Sequence, residues 1–497
     1  MSIFNNFTPT STKAITNQNY LNQSYVAALG ESDGAFLKPD VDSQTVMRYG
    51  DSKMLGLTSL SEALDNINIK GNSTFEHAES ERIRTPLFVD AEAAGAADAD
   101  ITYTLRDESQ AFLSSAVQPY GQVSQPAGYP NTSGANQTPT NAVRVRDILE
   151  FPNGTKAIVT DVNESAGTFT AYPTKDGGNL PAIANDEKII ITGNAQPEGG
   201  NSNKSRNTRL LNYKNTIQTF RDTHVITGTG ASSVGWVEVP GRDINGAEKT
   251  GYMWYIKGVG DTYTNHCNDI EMTLLTGERI TNTSALNALG DDTSSTEGAI
   301  PQIEAFGNTE GYTNLDYEDL ENMTRKFNTE RGSHDNHIWG GFDFIADLNT
   351  AMREDANLQS GGIEYARYGD AARINNFGFS GFQVNDYKFS YSTMDIFSDP
   401  TALGSEDHKY RGIGLVMPIG NTVSYDSRGA QIDVPSWRIN TMSEGGEGGF
   451  LRYKKDWAHG SVLGQRTNGE DKVKVEFLTD AGLEMFALNR YGLFLKE

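Results

Sequence analysis

The sequence predicts an α+β fold built from one long helix, a β-rich insertion and a mixed C-terminal region, and three observations carry this. Between Met253 and Leu274, apolar residues recur every three or four positions in one continuous stripe. Residues 143–195 hold short β-type runs separated by turn residues. The last two hundred residues mix helix-period with strand-period segments. With 497 residues the chain can form several domains around cores that need no covalent staples. Cys267 is its one cysteine, so no intrachain disulfide can form.

Composition narrows the function. There are 41 basic and 65 acidic residues, a formal net charge of −24. So acidic a surface repels phosphate, which argues against nucleic-acid binding; its ordinary role is solvation. The 51 glycines, with abundant Asn, Thr and Ser, point to many turns, while 37% hydrophobic content fits a globular protein. The start, Met1-Ser-Ile-Phe-Asn-Asn-Phe-Thr8, lacks a cationic segment followed by an apolar one, which argues against secretory export. No apolar run reaches the roughly 18 residues of a membrane span. A soluble protein folded in a reducing cytoplasm is expected.

Residues 1–50 are polar and aperiodic, the pattern of a segment that lies extended against something else. Leu60, Leu64 and Ile67 predict a short helix over 59–67, and Arg84–Val89 and Ile101–Leu105 read as extended. Gln118–Thr140 reads as a long loop. Val143–Glu150, the turn Pro152-Asn-Gly154, Lys156–Asp161, Gly167–Tyr172 and Glu187–Thr192 then outline a small barrel-like module inserted into a longer hairpin. The long helix is placed over Ala247–Thr276, roughly 45 Å, with a bend expected at Gly258 and Gly260 and a stop at Gly277. Beyond it, Asp316 can cap a helix carrying Leu320, Met323 and Phe327, and Ile345, Leu348 and Met352 mark another. Tyr387, Phe389 and Tyr391 alternate as in a strand, as do Val473, Val475 and Phe477. A final helix is predicted over Thr479–Arg490, followed by the apolar tail Tyr491–Leu495.

Candidate chemistry is sparse. His334 and His337 flank Asp335 and could begin a metal site, but further ligands at recognisable spacing are missing, and a polar loop is preferred. Gly228–Gly235 resembles a phosphate-cradling loop, yet Trp236–Val239 after it reads as a strand, so a hairpin turn is expected. Phe379-Ser380-Gly381 lacks the spacing of a hydrolase elbow. Cys267 sits in the apolar stripe and is expected to be buried and inert. No residue is assigned a catalytic, cofactor-binding or metal-binding role, and the protein is not expected to be an enzyme.

Three stretches in series resemble the major capsid proteins of tailed bacteriophages, the Hong Kong 97-like shell fold. They are the module from Arg146-Asp-Ile-Leu149 to Ile189–Gly199, then Asn212–Thr229, then Asp269–Gly277 at the end of the long helix. The resemblance covers roughly residues 60–490, and the acidic, Asn-rich composition is most similar to crAss-like phages. It implies an N-terminal arm over 1–55, an extension loop and its base over 56–142 and 196–240, and an inserted β domain over 143–195. It further implies a spine helix and peripheral domain over 241–310, with the axial domain and remaining peripheral elements over 311–497. The implied function is a structural subunit that self-assembles as hexamers and pentamers into an icosahedral head. The implied partners are portal, scaffolding and decoration proteins, around double-stranded DNA that an acidic wall encloses without recognising. Residues 1–50 show no heptads, so scaffolding is expected to be a separate protein. A β-rich fibre or adhesin is the alternative, although no repeat period is present to favour it. A polysaccharide-active enzyme would need two carboxylates held about 5–10 Å apart in a cleft, which a sequence does not display.

Overall fold

The structure, a computed structural model, describes residues 53–54, 56–80, 87–105, 143–163, 167–184, 187–203, 210–232, 239–242, 248–251, 254–282, 284–286, 293–358, 381–405, 408–425, 430–445, 449–464 and 466–496. Residues 1–52 of the expected arm, the 118–140 loop and Phe379-Ser380 lie outside these. The described chain divides into two compact units. One comprises Asp222–Asn265 and Asp456–Phe477; the other comprises Lys53–Arg221, His266–Lys455 and Leu478–Glu497.

In the larger unit, α1 (Leu57–Leu64) appears where a helix was expected, closed by Asp65 in a left-handed conformation. β1 (Ile67–Lys70) follows, then β2 (Thr74–Ser80), which enters the insertion. There β3 (Leu87–Phe88), β4 (Ile101–Thr104), β5 (Asp147–Glu150), β6 (Lys156–Asn163), β7 (Thr168–Pro173) and β8 (Lys188–Asn194) form one sheet in the order β3-β8-β5-β6-β7-β4. An isolated bridge, Val89 to Leu105, joins the two edge strands, so the sheet is barrel-like. β5 turns into β6 through Asn153-Gly154, where Gly154 has φ +83° and its N–H donates to the Phe151 carbonyl at 2.8 Å. The sheet is wider than the 143–195 reading: β3 and β4, assigned from sequence to the extension loop, are two of its six strands. Leu87, Val89, Tyr103 and Leu105 bury themselves with Leu149, Phe151, Val159, Phe169 and Ile189 in a core made only of this module. The short runs around 87 and 101 gave too few alternating positions to show which sheet they join.

A segment spanning 87–195 should therefore fold alone, giving a β-type circular dichroism spectrum and a cooperative melt. The 143–195 segment alone should not, because it lacks both edge strands and their four core residues. A cooperative melt for the shorter piece would refute this boundary.

β9 (Leu210–Thr216) leaves the insertion and pairs antiparallel with β2, from Thr74↔Thr216 to Ser80↔Leu210. The insertion is thus carried on a two-stranded hairpin. β10 (Gln218–Thr227) leads to α2 (Gly228–Ser232), a five-residue helix where a hairpin turn was expected. Thr227 caps this turn, its hydroxyl accepting from the Gly230 N–H at 3.2 Å, and Ser232 donates back to the Gly228 carbonyl at 2.9 Å.

The long helix begins later than its predicted start. β11 (Val239–Arg242) pairs with β12 (Glu248–Gly251), and only then comes α3 (Trp254–Thr276). Its 23 residues span about 35 Å. Glu248-Lys-Thr-Gly251 offers no apolar side chain to the stripe, and cross-strand pairing takes it instead. The stripe itself is as expected, with Val259, Cys267, Ile270 and Leu274 buried. The helix runs through both glycines. A Cβ at Gly258 would lie 2.6 Å from the His224 ring, so glycine is required there by close approach. The smaller unit has its own core of Ile226, Val259, Val473, Val475 and Phe477.

After α3 come α4 (Ala299–Phe306), β13 (Asn308–Tyr312) and α5 (Tyr317–Glu330). Asp316 caps α5 as expected: its carboxylate accepts from the Asp319 N–H at 3.0 Å and Asp319 reciprocates. β14 (Asp335–Gly340), α6 (Phe342–Leu358), β15 (Gly381–Val384), β16 (Tyr387–Thr393) and β17 (Gly414–Pro418) follow. A separate hairpin, β18 (Asn421–Tyr425) with β19 (Gln431–Pro435), precedes β20 (Trp437–Glu444), β21 (Phe450–Leu451), β22 (Lys455–Gly460), β23 (Lys472–Met485) and β24 (Gly492–Lys496).

Two mixed sheets result, in the orders β13-β24-β17-β14-β16-β15 and β1-β20-β23-β10. On the first, α5 and α6 bury Leu320, Met323, Phe327, Phe344 and Leu348 against Phe382, Phe389 and Phe494. The predicted helix over 479–490 is absent: β23 continues to Met485, a 3-10 turn covers Leu488–Arg490, and the tail is strand β24. Leu478 to Met485 is buried on both faces, which erases the alternation that would mark a strand. Asp480 and Glu484, four apart, imitate the polar face of a helix.

Candidate functional site

Where the hairpin meets the sheet, two of the buried carboxylates among the described residues, Asp480 and Glu484, lie on one strand, and neither was singled out from the sequence. The even-numbered face of β23 presents Asp480, Gly482 and Glu484 within its buried C-terminal half, Phe477–Met485. At Gly482 the hairpin base passes so close that a Cβ would lie 2.8 Å from the Thr216 carbonyl oxygen and 3.1 Å from Ile217 Cα. Two residues on, Glu484 has a side chain with no exposure. It accepts from Arg438 Nε at 2.7 Å and Asn440 Nδ2 at 2.8 Å, both on β20, and Lys70 Nζ of β1 lies 3.4 Å away. His77 of β2 brings Nδ1 to 3.3 Å from the other oxygen, Oε1.

Burial alone would push the Glu484 carboxyl up, but the bonds from His77, Arg438 and Asn440, with the Arg438 charge, hold it well below the usual carboxylate range. It is a fixed negative post. Asp480 is likewise buried and paired with Arg452. The one sequence signal available was two acids inside the apolar run Phe477–Met485, a pattern that demands partners wherever it folds.

A second buried carboxylate seats α1. Gly56 at the N-cap has no side chain to offer, and Glu271 of α3 takes that role from a distance. It accepts from the Thr58 N–H at 3.0 Å, from the Thr58 hydroxyl, and from the Ser59 N–H at 3.4 Å, while Asn268 accepts from the Met54 N–H at 2.9 Å. Burial outweighs these bonds and the Lys454 charge, so Glu271 keeps its proton to higher pH than an ordinary glutamate. At the other end of α1, Glu62 pairs with Lys454 and accepts from the Tyr453 hydroxyl at 3.0 Å.

The residues weighed from sequence fall elsewhere and do not converge. His334 stacks on Tyr387, with centroids 4.9 Å apart. His337 lies in β14, its Nδ1 2.7 Å from the Ser390 hydroxyl and its Nε2 2.8 Å from the Ser392 hydroxyl, and burial pushes its pKa down to about 4. Both ring nitrogens are thus engaged by hydroxyls. Among the described residues, no group of three His, Cys, Asp or Glu side chains could hold a metal ion, and no helix is long and apolar enough to cross a membrane. Gly228 packs its backbone on Asp471, donating to that residue's carbonyl at 3.1 Å. Cys267 is 1% exposed. It should resist a thiol reagent in the native state and label only on denaturation; rapid native labelling would mean the α3 register is wrong.

Several apolar side chains face outward. Phe450 is 79% exposed and adjoins Leu451 at the tip of β21; Ile419, Val423 and Ile432 are exposed on and beside the β18–β19 hairpin. A two-stranded hairpin with apolar side chains in water is marginal by itself.

The profile of a family described as SU10 major capsid protein matches residues 57–401. No curated protein matches the sequence. Among solved structures, one from Microbacterium phage Oxtober96 covers 96% of this chain and 99% of its own at 9% identity, with a TM-score of 0.37. One from Mycobacterium phage Bobi covers 96% and 98% at 9% identity and 0.35, and the capsid of Myoviridae phage XM1 covers 98% and 100% at 8% and 0.34. Scores this low add no weight to the family match.

Proposed function

The chain belongs to the SU10 major capsid protein family, and from that premise we propose how this subunit builds a phage head. The protein is a structural, shell-forming subunit, and its place is the capsid of the virion. The carrying observation is the family match across residues 57–401, which takes in the hairpin, its insertion and the long helix. In the finer reading, copies assemble as hexamers and pentamers in the host bacterial cytoplasm around double-stranded DNA, with portal, scaffolding and decoration proteins as partners. Residues 1–55 act as the arm and β2 with β9 as the stem of the extension loop. The insertion, with edges moved to 87–195, forms a separate β domain; α3 is the spine. The helix-backed sheet of β13 to β17 and β24 forms the axial domain. This order of elements supports the Hong Kong 97-like reading. A net charge of −24 suits a wall that encloses DNA without adhering to it.

Exposed Phe450 and Leu451 support self-association, since such side chains gain by burial against a neighbouring copy. Electron microscopy of the purified product, expressed with its head-assembly genes, should show closed shells or rings of five and six subunits. Monomers alone, or rods, would count against the reading. Phe450→Asp should leave the circular dichroism of the subunit unchanged while lowering the yield of rings and shells about tenfold. A variant that assembles normally would remove this tip from the interface.

A further inference from the structure

His77 stands between two carboxylates, one at each ring nitrogen. Nδ1 is 3.3 Å from Glu484 Oε1, and Nε2 is 3.3 Å from Glu79 Oε1. A neutral imidazole carries a single N–H. It can donate to one of these acids and must then turn a lone pair toward the other, which is repulsive. Only the imidazolium donates to both.

The surroundings fix both acids in place. Glu484 is held by Arg438, Asn440 and Lys70, all from strands of the sheet. Glu79, on β2 beside His77, accepts from the Ala487 N–H at 2.6 Å. Tyr213 of β9 stacks on the imidazole with centroids 5.2 Å apart and planes 9° from parallel. Phe486 closes the other side at 4.7 Å and itself lies under the Arg438 guanidinium. The remaining charged groups on the hairpin here, Glu76 and Lys214, pair with each other at 3.8 Å. A small recess lined by His77, Asn215, Gln302, Glu484 and Leu488 borders the ring.

We propose that His77 is a protonation-dependent latch that ties the base of the β2–β9 hairpin to Glu484 on the central sheet. Because Glu484 keeps its charge and its sheet-borne partners throughout, His77 is the element that switches. With a proton, the imidazolium bridges Glu79 and Glu484 and the hairpin is clamped. Without it, one bridge is lost and the hairpin rests on the Gly482 contact and its remaining bonds. Burial pushes the His77 pKa down, but the bonds and charges of Glu484 and Glu79 more than reverse this and leave it raised. A histidine with a raised folded-state pKa contributes its full stabilisation below about 6.5, the unfolded value. That contribution is lost as pH rises through the folded value. The latch therefore loosens as pH rises above about 6.5 and through the folded value.

The test is hydrogen exchange on the full-length unassembled subunit between pH 6 and 9, read on peptides covering Thr74–Ser80 and Leu210–Thr216 and corrected for intrinsic exchange. Wild-type protection of these strands should fall several-fold across the range, while strands of the β13–β17 sheet stay level. His77→Gln, which keeps a polar ring-sized group without titrating, should give hairpin protection that no longer depends on pH. If that variant fails to fold, Glu79→Gln serves: removing one acid should move the transition to lower pH. Level wild-type protection, or an undisturbed transition in the folded variant, would overturn the latch.

Discussion

Glu271→Ala should lower the stability of the subunit by about 3 kcal/mol, because it strands the buried N–H and hydroxyl of Thr58 and the half-buried N–H of Ser59 at the start of α1. Thr58 is 2% exposed, so water cannot replace the lost acceptor without the helix moving. Glu271→Gln should cost less, since its carbonyl still accepts one of these bonds and no charge need be buried. Urea titration of the three proteins would rank them by midpoint. An alanine variant within 0.5 kcal/mol of wild type, against the roughly 3 kcal/mol expected, would mean that Glu271 does not cap α1. The pH dependence has a definite sign. The folded carboxyl holds its proton above the ordinary glutamate value of about 4.5, so the native state binds more protons just above that pH. Its contribution to stability therefore rises as pH falls through the folded value, opposite to a salt-bridged acid. The glutamine variant should lose that rise.

Gly482→Ala is the second large effect expected. The new methyl group would meet the Thr216 carbonyl and Ile217 Cα, which are backbone and cannot turn aside. Relief requires lifting the hairpin from the sheet, at about 2–3 kcal/mol. Hydrogen exchange should rise in β2 and β9 and remain unchanged within the 87–195 module, whose core is its own. If β2 and β9 stay protected and the loss is instead spread through β13–β17, Gly482 is not the seat of the hairpin. The variant also separates seat from latch, because His77 and both of its acids remain.

Local signals in the sequence already specified much of this subunit. The stripe from Val259 to Leu274 marked the long helix, because one buried face repeats every turn. Asp316 marked the start of α5, because capping uses neighbours in the chain. The Asn153-Gly154 turn and the flanking alternation marked the module. The order of motifs pointed to the family.

Where neighbours distant in sequence decide the outcome, the sequence reading failed for identifiable reasons. Residues 248–251 became strand because 239–242 offered a partner, a pairing without a periodic signature in four residues. Residues 479–485 became strand because layers on both sides bury them, and uniform burial leaves no alternation to read. The spacing of Asp480 and Glu484 also satisfies both periods, since residues four apart share a face of a strand as well as of a helix. β3 and β4 joined the module only when Val89 met Leu105 across the closing barrel. Glu271 and His77 reveal their roles only beside Thr58 and Glu484, respectively 213 and 407 positions away. A carboxylate in a sequence is one among 65 acidic residues; folding alone takes a few of them out of water and gives each its partners.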